Sequence, residues 1–385
     1  MKIYIIDVSG KVLNYDIALF DAMQQNTDNE IKMFVPDAKL SIEKVGMIHL
    51  LSVIPARYKN SSHALKRMCK AIEGLFNYVI IMVYCFLNKP DIIHFQWFPF
   101  LEFCGIESFF LRCIKVIESR KMKIILTIHN VYPHDINEKE KAGYKSRFIK
   151  VSSFIDHFIV HTDATKVEVN REFGIDLSSI DIVHHGIFEP DLKMYDIRPS
   201  KKHNRLKLIV FGNQTPYKGT DTIIDAMSSL PDFQKKRVEL LVMGQIQPDY
   251  YKFLREKEHN ITVQWMPYFV DDRTLFQNIV DADVILLPYR SISQSGVLLL
   301  SLYFNKPIIC SDLPAFKETL CGYPDSLFFE AGNAKNLEKV LSGIIENGIN
   351  NEAVVLAIER IKEKNSWNLS AKKTLEVYKR LLAAL

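Results

Sequence analysis

Short apolar runs alternate with longer helical stretches along most of the chain, and this alternation limits the fold more than any other feature. It is clearest across residues 284–312. Val284-Ile-Leu-Leu287 reads as a buried strand. A polar loop follows, Ser291 to Gly296, then a leucine-rich helix, then a second apolar run, Pro307-Ile-Ile-Cys310. Strand, loop, helix and strand in that order make a βαβ unit, whose strands run parallel. Repetition of the unit predicts the α/β class, a mainly parallel sheet with helices on both faces. Ligands of such sheets lie beyond the carboxyl ends of the strands.

In the first half, strands are expected at 2–6, 31–35, 48–53, 91–97, 123–128, 158–162 and 180–186. The turn Asp7-Val-Ser-Gly10 leads into a first helix over 15–25. Its single glycine gives no dinucleotide fingerprint. Polar residues gather at strand ends: Gln96, His129, Asn130, His161 and His185. The polar stretch 189–205 reads as a linker. A second series follows at 206–212, 238–244, 261–265, 284–287, 307–310 and 327–329, with an amphipathic helix at the end. At 385 residues the chain exceeds what one core usually holds. The expected organisation is one domain over 1–190, a second over 206–365, and a C-terminal helix over 366–385.

A net charge of +4 is too small to argue for nucleic acid. The six cysteines form no C-x-x-C pair, so they read as reduced core residues of a cytoplasmic protein. Met1-Lys-Ile-Tyr-Ile-Ile starts directly as a strand, so no signal peptide is expected. The most membrane-like segment, 75–87, falls short of the roughly 18 apolar residues that span a bilayer. Asn77 interrupts it, and Lys66, Arg67 and Lys70 precede it. It reads as a core helix. The alternative is a helix face dipping into an anionic bilayer surface.

Two loops carry the chemistry. Gln294-Ser-Gly296 falls where a helix begins, so backbone N–H groups there suit a phosphate. An ordinary N-cap explains the same residues. Phe211-Gly-Asn-Gln-Thr-Pro-Tyr-Lys-Gly219 follows a strand and opens a helix. Gly212 lets the backbone approach a ligand, and Lys218 puts a mobile charge beside it. A solvated lysine in a turn is the alternative. His129 ends a strand, where it either faces a ligand or is held by backbone. His184 and His185 point to opposite faces, so one of them reads as core.

In order and spacing, these features resemble the retaining, nucleotide-sugar-dependent glycosyltransferases of the family-4, group 1 type. That family has two Rossmann-like domains facing a cleft, the GT-B fold. The residues that carry the resemblance are Phe211-Gly212, Tyr217-Lys-Gly219, Pro288-Tyr289, Gln294-Ser-Gly-Val297 and Asn305-Lys-Pro-Ile-Ile309. In the first half they are Asp91-Ile-Ile-His94, Thr127-Ile-His-Asn130, Pro133-His134 and His185-Gly186. Ser366-Trp367 resembles the start of the helix that crosses back to the first domain. The resemblance covers nearly the whole chain.

The resemblance implies a UDP- or GDP-sugar donor on the second domain. Gly212, Asn213, Lys218, Gly219, Arg290, Gln294, Ser295, Gly296 and Val297 would bind it. Gly10, His129, Asn130 and His185 would serve the acceptor or sugar side, with His129 and Lys218 catalytic. It implies no cofactor beyond the nucleotide sugar, which is the substrate, and no metal. The acceptor would be a lipid-linked or growing glycan of bacterial polysaccharide synthesis. The protein would be cytoplasmic, with peripheral contact at the inner face of the membrane as the alternative that the segment 75–87 leaves open. Asp281-Ala-Asp283 resembles the metal motif of the other glycosyltransferase fold, but it precedes a buried strand and reads as structural.

The chain also departs from the family. The two glutamates that often bracket the diphosphate helix are Ile292 and Leu300 here, which resembles a subgroup lacking that pair. Asn213 stands where an arginine is usual, leaving Lys218 as the main phosphate cation with Arg290 to compensate. Two rival readings are a sugar-nucleotide epimerase of similar architecture and a non-catalytic nucleotide-sugar-binding subunit of a glycan assembly complex.

Overall fold

The computed structural model describes residues 1–36, 45–52, 63–117, 122–133, 136–199 and 204–384. They form two compact units, Met1–Gly186 with Ser366–Leu385, and Ile187–Asn365. The first unit runs β1 (Lys2–Asp7), α1 (Leu13–Asn26), β2 (Glu30–Pro36), β3 (Met47–Leu50), α2 (His63–Asn88), β4 (Ile92–Trp97), α3 (Glu107–Ile117), β5 (Lys123–Thr127), α4 (Glu138–Ser152), β6 (His157–Val160), α5 (Asp163–Phe173) and β7 (Ile180–Ile182). The second runs β8 (Leu206–Phe211), α6 (Thr220–Ser229), α7 (Asp232–Lys235), β9 (Val238–Met243), α8 (Pro248–Glu256), β10 (Val263–Met266), α9 (Asp272–Asp281), β11 (Val284–Leu287), α10 (Gly296–Tyr303), β12 (Ile308–Ser311), α11 (Pro314–Thr319), β13 (Phe328–Phe329), α12 (Ala334–Asn347) and α13 (Asn351–Lys364). A last helix, α14 (Trp367–Ala383), returns to the first unit.

Among the described residues, each unit holds one parallel sheet. The first is seven-stranded, in the order β3-β2-β1-β4-β5-β6-β7. The second is six-stranded, in the order β10-β9-β8-β11-β12-β13. Strands buried on both faces need continuous apolar runs. Ile3 to Ile6 and Leu208 to Phe211 are such runs, each almost fully buried. The strand order reverses between β1 and β4, and again between β8 and β11. Those reversals are where doubly wound sheets take ligands. They bring the loop after β8 beside the loop after β11.

The helix α14 completes the first unit. Ala371, Leu375 and Tyr378 are buried with Ile3, Ile5, Leu19 and Phe20 in one core cluster. Ser370 Oγ donates to the His184 carbonyl at 2.5 Å. Asp181 bonds His157 at 2.7 Å and also binds the Arg380 guanidinium. The entry of α14 explains Gly186, where a Cβ would lie 2.3 Å from the Trp367 ring.

Three features differ from the sequence reading. First, strand β7 stops at Ile182, and His184 and His185 lie beyond it. Second, the described part of 189–205, read as a linker, is tied to the second unit. Tyr195 bonds Asp272 at 3.4 Å, and Gln277 donates to the Arg198 carbonyl at 2.7 Å. Third, α2 is one 26-residue helix, longer than the apolar segment read from the sequence. Asn77 does not interrupt it, because its amide pairs with Leu51, donating to the carbonyl at 3.0 Å and accepting from the N–H at 2.8 Å. One face of α2 buries Tyr78, Ile81 and Cys85, and the other leaves Ile72, Phe76, Val79, Val83 and Phe86 exposed.

Candidate functional site

In the second unit, Gly212 follows β8 with φ +90°. A Cβ at this position would meet Lys218 Nζ at 2.8 Å and Val297 Cγ2 at 3.3 Å. Residues from both loops beside the strand reversal therefore converge on one point. Gly219 holds the loops together: its φ is +71°, and a Cβ would lie 2.0 Å from the Pro288 carbonyl oxygen. Side chains are excluded there on both grounds. Gln214 reinforces the turn. It donates to the Gly212 carbonyl at 2.7 Å and accepts from Thr220 Oγ1 at 2.6 Å.

Lys218 ends a one-turn 3-10 segment, Pro216–Lys218, and is only 6% exposed. Its ammonium sits 5.4 Å from the centre of the Tyr289 ring. Among the described residues it forms no salt bridge. Burial without an opposite charge disfavours the ammonium and lowers its pKa from 10.5 to about 8.

The other donor-side residues divide. Ser295 caps α10, its side chain accepting from the Leu298 N–H at 3.1 Å. Gln294 is half-buried, and Asn213 and Gly296 are exposed. Nothing in the fold demands glycine at 296, where a Cβ would only touch Phe188 at 3.7 Å. Arg290, expected to add charge at the diphosphate, has an acidic partner in the structure. Its guanidinium grips Asp221 in a fork at 2.9 and 2.7 Å and donates to the Pro216 carbonyl at 2.5 Å. Asp221 offsets its charge, and the pair fastens the loop that carries Lys218. Ile292 and Leu300 pack against the core of this unit. Asp283 accepts the Lys207 N–H at 2.8 Å and Asp281 accepts from Gln277 at 3.0 Å, so both carboxylates serve the fold.

In the first unit, buried histidines cluster beyond the strand ends. His161 Nδ1 lies 2.9 Å from the Val183 carbonyl, and its Nε2 lies 3.2 Å from His129 Nδ1. A carbonyl only accepts, so His161 Nδ1 carries the proton. Neutral His161 then accepts at Nε2, and His129 donates from Nδ1. That leaves His129 Nε2 as a bare acceptor, buried and without a partner among the described residues. Neutral rings are what burial favours. Desolvation holds His161 at about 4 and His129 well below the ordinary 6.5, with neighbouring histidines lowering His129 further.

His185 donates from Nδ1 to the Gly186 carbonyl at 2.6 Å, and its ring packs against Tyr15 and Trp367. Asn130 is half-buried, with its Oδ1 buried and unpartnered. Gly10 has φ +60°, and its N–H donates to Asp7 at 2.8 Å. His134 lies outside the described residues. Trp97, Lys11 and the buried Asp16 were not singled out in the sequence, because no local pattern marks them.

Residues 195–363 match the family model described as Glycosyl transferases group 1. Residues 25–188 match Glycosyltransferase Family 4. By family, the chain belongs with the glycosyltransferases. Over 235 residues, this glycosyltransferase chain is 20% identical to GDP-mannose:glycolipid 4-beta-D-mannosyltransferase of Xanthomonas campestris pv. campestris. That match spans 58% of this chain and 62% of the relative, well short of the relative's length. Among solved structures, sucrose-phosphate synthase from Thermosynechococcus elongatus is similar at a TM-score of 0.70, with 15% identity and 100% of both chains covered. Anabaena HepE, solved with UDP and glucose, is similar at 0.69, again with 15% identity and 100% of both chains covered. Likeness at these identities is one of fold, two Rossmann-like α/β domains of the GT-B type.

Proposed function

We propose that the protein transfers a sugar from UDP- or GDP-sugar to a lipid-linked or growing glycan, with retention and without a metal ion. The observation that carries this reading is Lys218. A buried ammonium without a carboxylate among the described residues, set where two loops converge at a strand reversal, is suited to an anion. The N-terminus of α10 opens from the adjoining loop and adds N–H donors. A diphosphate would engage both. Nothing in the fold demands glycine at 296, so its small size is best explained by backbone approach to a ligand.

Negative charge grows on the leaving oxygen as the sugar departs. Lys218 and the α10 N–H groups oppose that charge, and they do so more strongly in the transition state than before it. The leaving phosphate takes the acceptor's proton on the same face. His129 Nε2, a bare acceptor, would take a hydrogen bond from a sugar hydroxyl and position it. The names of similar proteins support the substrate class: one names GDP-mannose and a glycolipid, another was solved with UDP and glucose. The exposed apolar stripe on α2 supports peripheral attachment at the cytoplasmic membrane face.

The test combines calorimetric nucleotide affinity with turnover. UDP or GDP should bind, and nucleotide release should require an acceptor. Lys218→Ala should lower kcat/KM by about 100-fold, the scale of losing one preorganised charge-stabilising group. His129→Ala should keep nucleotide affinity and lose transfer. Full turnover by Lys218→Ala, or release without acceptor, would overturn the reading.

A further inference from the structure

We propose that a pocket at the carboxyl ends of β4 and β5 binds one neutral sugar ring stacked on Trp97, as the terminal residue of the acceptor. The proposal rests on the glycosyl-transfer reading for its place in the reaction, and on the first unit alone for its geometry. A cavity of about 250 Å³ lies there, lined by Lys11, Trp97, Glu102, Phe103, Asn130 and Glu140. A smaller cavity of about 30 Å³ adjoins it, sharing Trp97, Glu102 and Asn130 and reaching Gln96 and His129. The larger cavity falls below the roughly 300–1,000 Å³ of pockets for drug-sized ligands. One ring fits that scale better than a nucleotide.

Polar atoms identify the ring: Asn130 lines both cavities, and Gln96 and His129 line the smaller one alone. Gln96 is fully buried, and neither its Nε2 nor its Oε1 has a partner among the described residues. His129 Nε2 and Asn130 Oδ1 are buried and without a partner among the described residues as well. An unmatched buried polar atom is unfavourable, so this group calls for a ligand or water. It contains an amide donor and three acceptors. A sugar hydroxyl both donates and accepts, and a ring presents several hydroxyls at fixed spacing. Trp97 supplies the apolar wall, with Lys11 Nζ 5.7 Å from its ring centre. The C–H face of a pyranose covers such a surface and keeps its hydroxyls at the rim.

Charge narrows the class. Among the described residues, Glu102 and Glu140 line the pocket against one ammonium, Lys11. The balance is negative, so a phosphate or an acidic sugar is repelled while a neutral ring is not.

The experiment is saturation-transfer NMR on the full chain, using methyl glucoside, methyl mannoside, methyl galactoside and methyl glucuronide. At least one neutral glycoside should receive saturation and the glucuronide should not. Trp97→Ala should weaken the neutral glycoside about tenfold or more, as loss of a stacked aromatic wall implies, and Trp97→Phe by less. Glu140→Lys, at an exposed position, should admit the glucuronide without disturbing the fold. Unchanged binding in Trp97→Ala, absence of any neutral glycoside, or preference for the glucuronide in the unsubstituted protein would overturn the proposal. Nucleotide affinity is measured in parallel. If UDP or GDP binds while no glycoside does, the pocket assignment fails and glycosyl transfer stands. If glycosides bind as expected but no nucleotide does, the pocket stands and the transfer reading fails.

Discussion

Lys218 was recognisable from Tyr-Lys-Gly after a strand, but its burial was not. Burial gives it an energetic signature. A fall from 10.5 to about 8 corresponds to roughly 3 kcal/mol of desolvation. The folded pKa lies below the unfolded one, so between about pH 8 and 10.5 the unfolded chain binds more protons. Stability from this group therefore rises with pH across that window, and below it the penalty is complete. A bound diphosphate raises the pKa again. Nucleotide binding at pH 8.5 should thus take up a proton, seen as a binding enthalpy that changes with the ionisation heat of the buffer. Lys218→Met should abolish that dependence and raise the Tm of the nucleotide-free protein. A buffer-independent enthalpy in the unsubstituted protein would contradict the assignment. Arg290 and His129 illustrate the converse. The charge of Arg290 is offset by Asp221, and the acceptor face of His129 is set by His161. Neither partner is near in sequence.

Helix α2 shows how an element can be found while its outward face is not. Its apolar composition was plain, but which residues face outward depends on what packs beneath. Tyr78, Ile81 and Cys85 turn inward, so Ile72, Phe76, Val79, Val83 and Phe86 form an exposed stripe at helical spacing. Contiguous exposed apolar surface of this kind marks an interaction site. The double variant Phe76→Ser, Phe86→Ser should lower partition onto anionic liposomes by about 100-fold or more, since each aromatic contributes roughly 1.5–3 kcal/mol when buried. Circular dichroism should stay unchanged because neither side chain is in the core. Equal sedimentation of the variant and the unsubstituted protein would contradict the proposed membrane attachment through α2.

The first unit is discontinuous: residues near both chain ends build one core. Truncation after Asn365 removes Ala371, Leu375 and Tyr378, together with the 2.6 Å bond between Tyr378 and His94. Burial of such side chains is worth roughly 1.5–3 kcal/mol for each large one. That loss approaches the 5–15 kcal/mol of a whole domain. The truncated protein should lose hydrogen-exchange protection in β1 and α1 and keep it in β8, β9 and β11. Protection lost evenly across both units would show that α14 supports more than the first.

Consecutive residues alone specified the α/β class, the position of nearly every strand, and the two loops expected to hold phosphate. Burial alternates with exposure over a few residues, so local pattern carries that information. Adjacency of strands is different. β1 lies beside β4 and β8 beside β11, and the second pairing brings Gly212, Lys218 and Val297 in the first turn of α10 to one point. The partner of Arg290, the bare nitrogen of His129 and the wall formed by Trp97 arise the same way. Each depends on groups distant in the chain meeting in a packed interior, where desolvation sets which charges and protons persist. That environment exists only once the whole unit has folded.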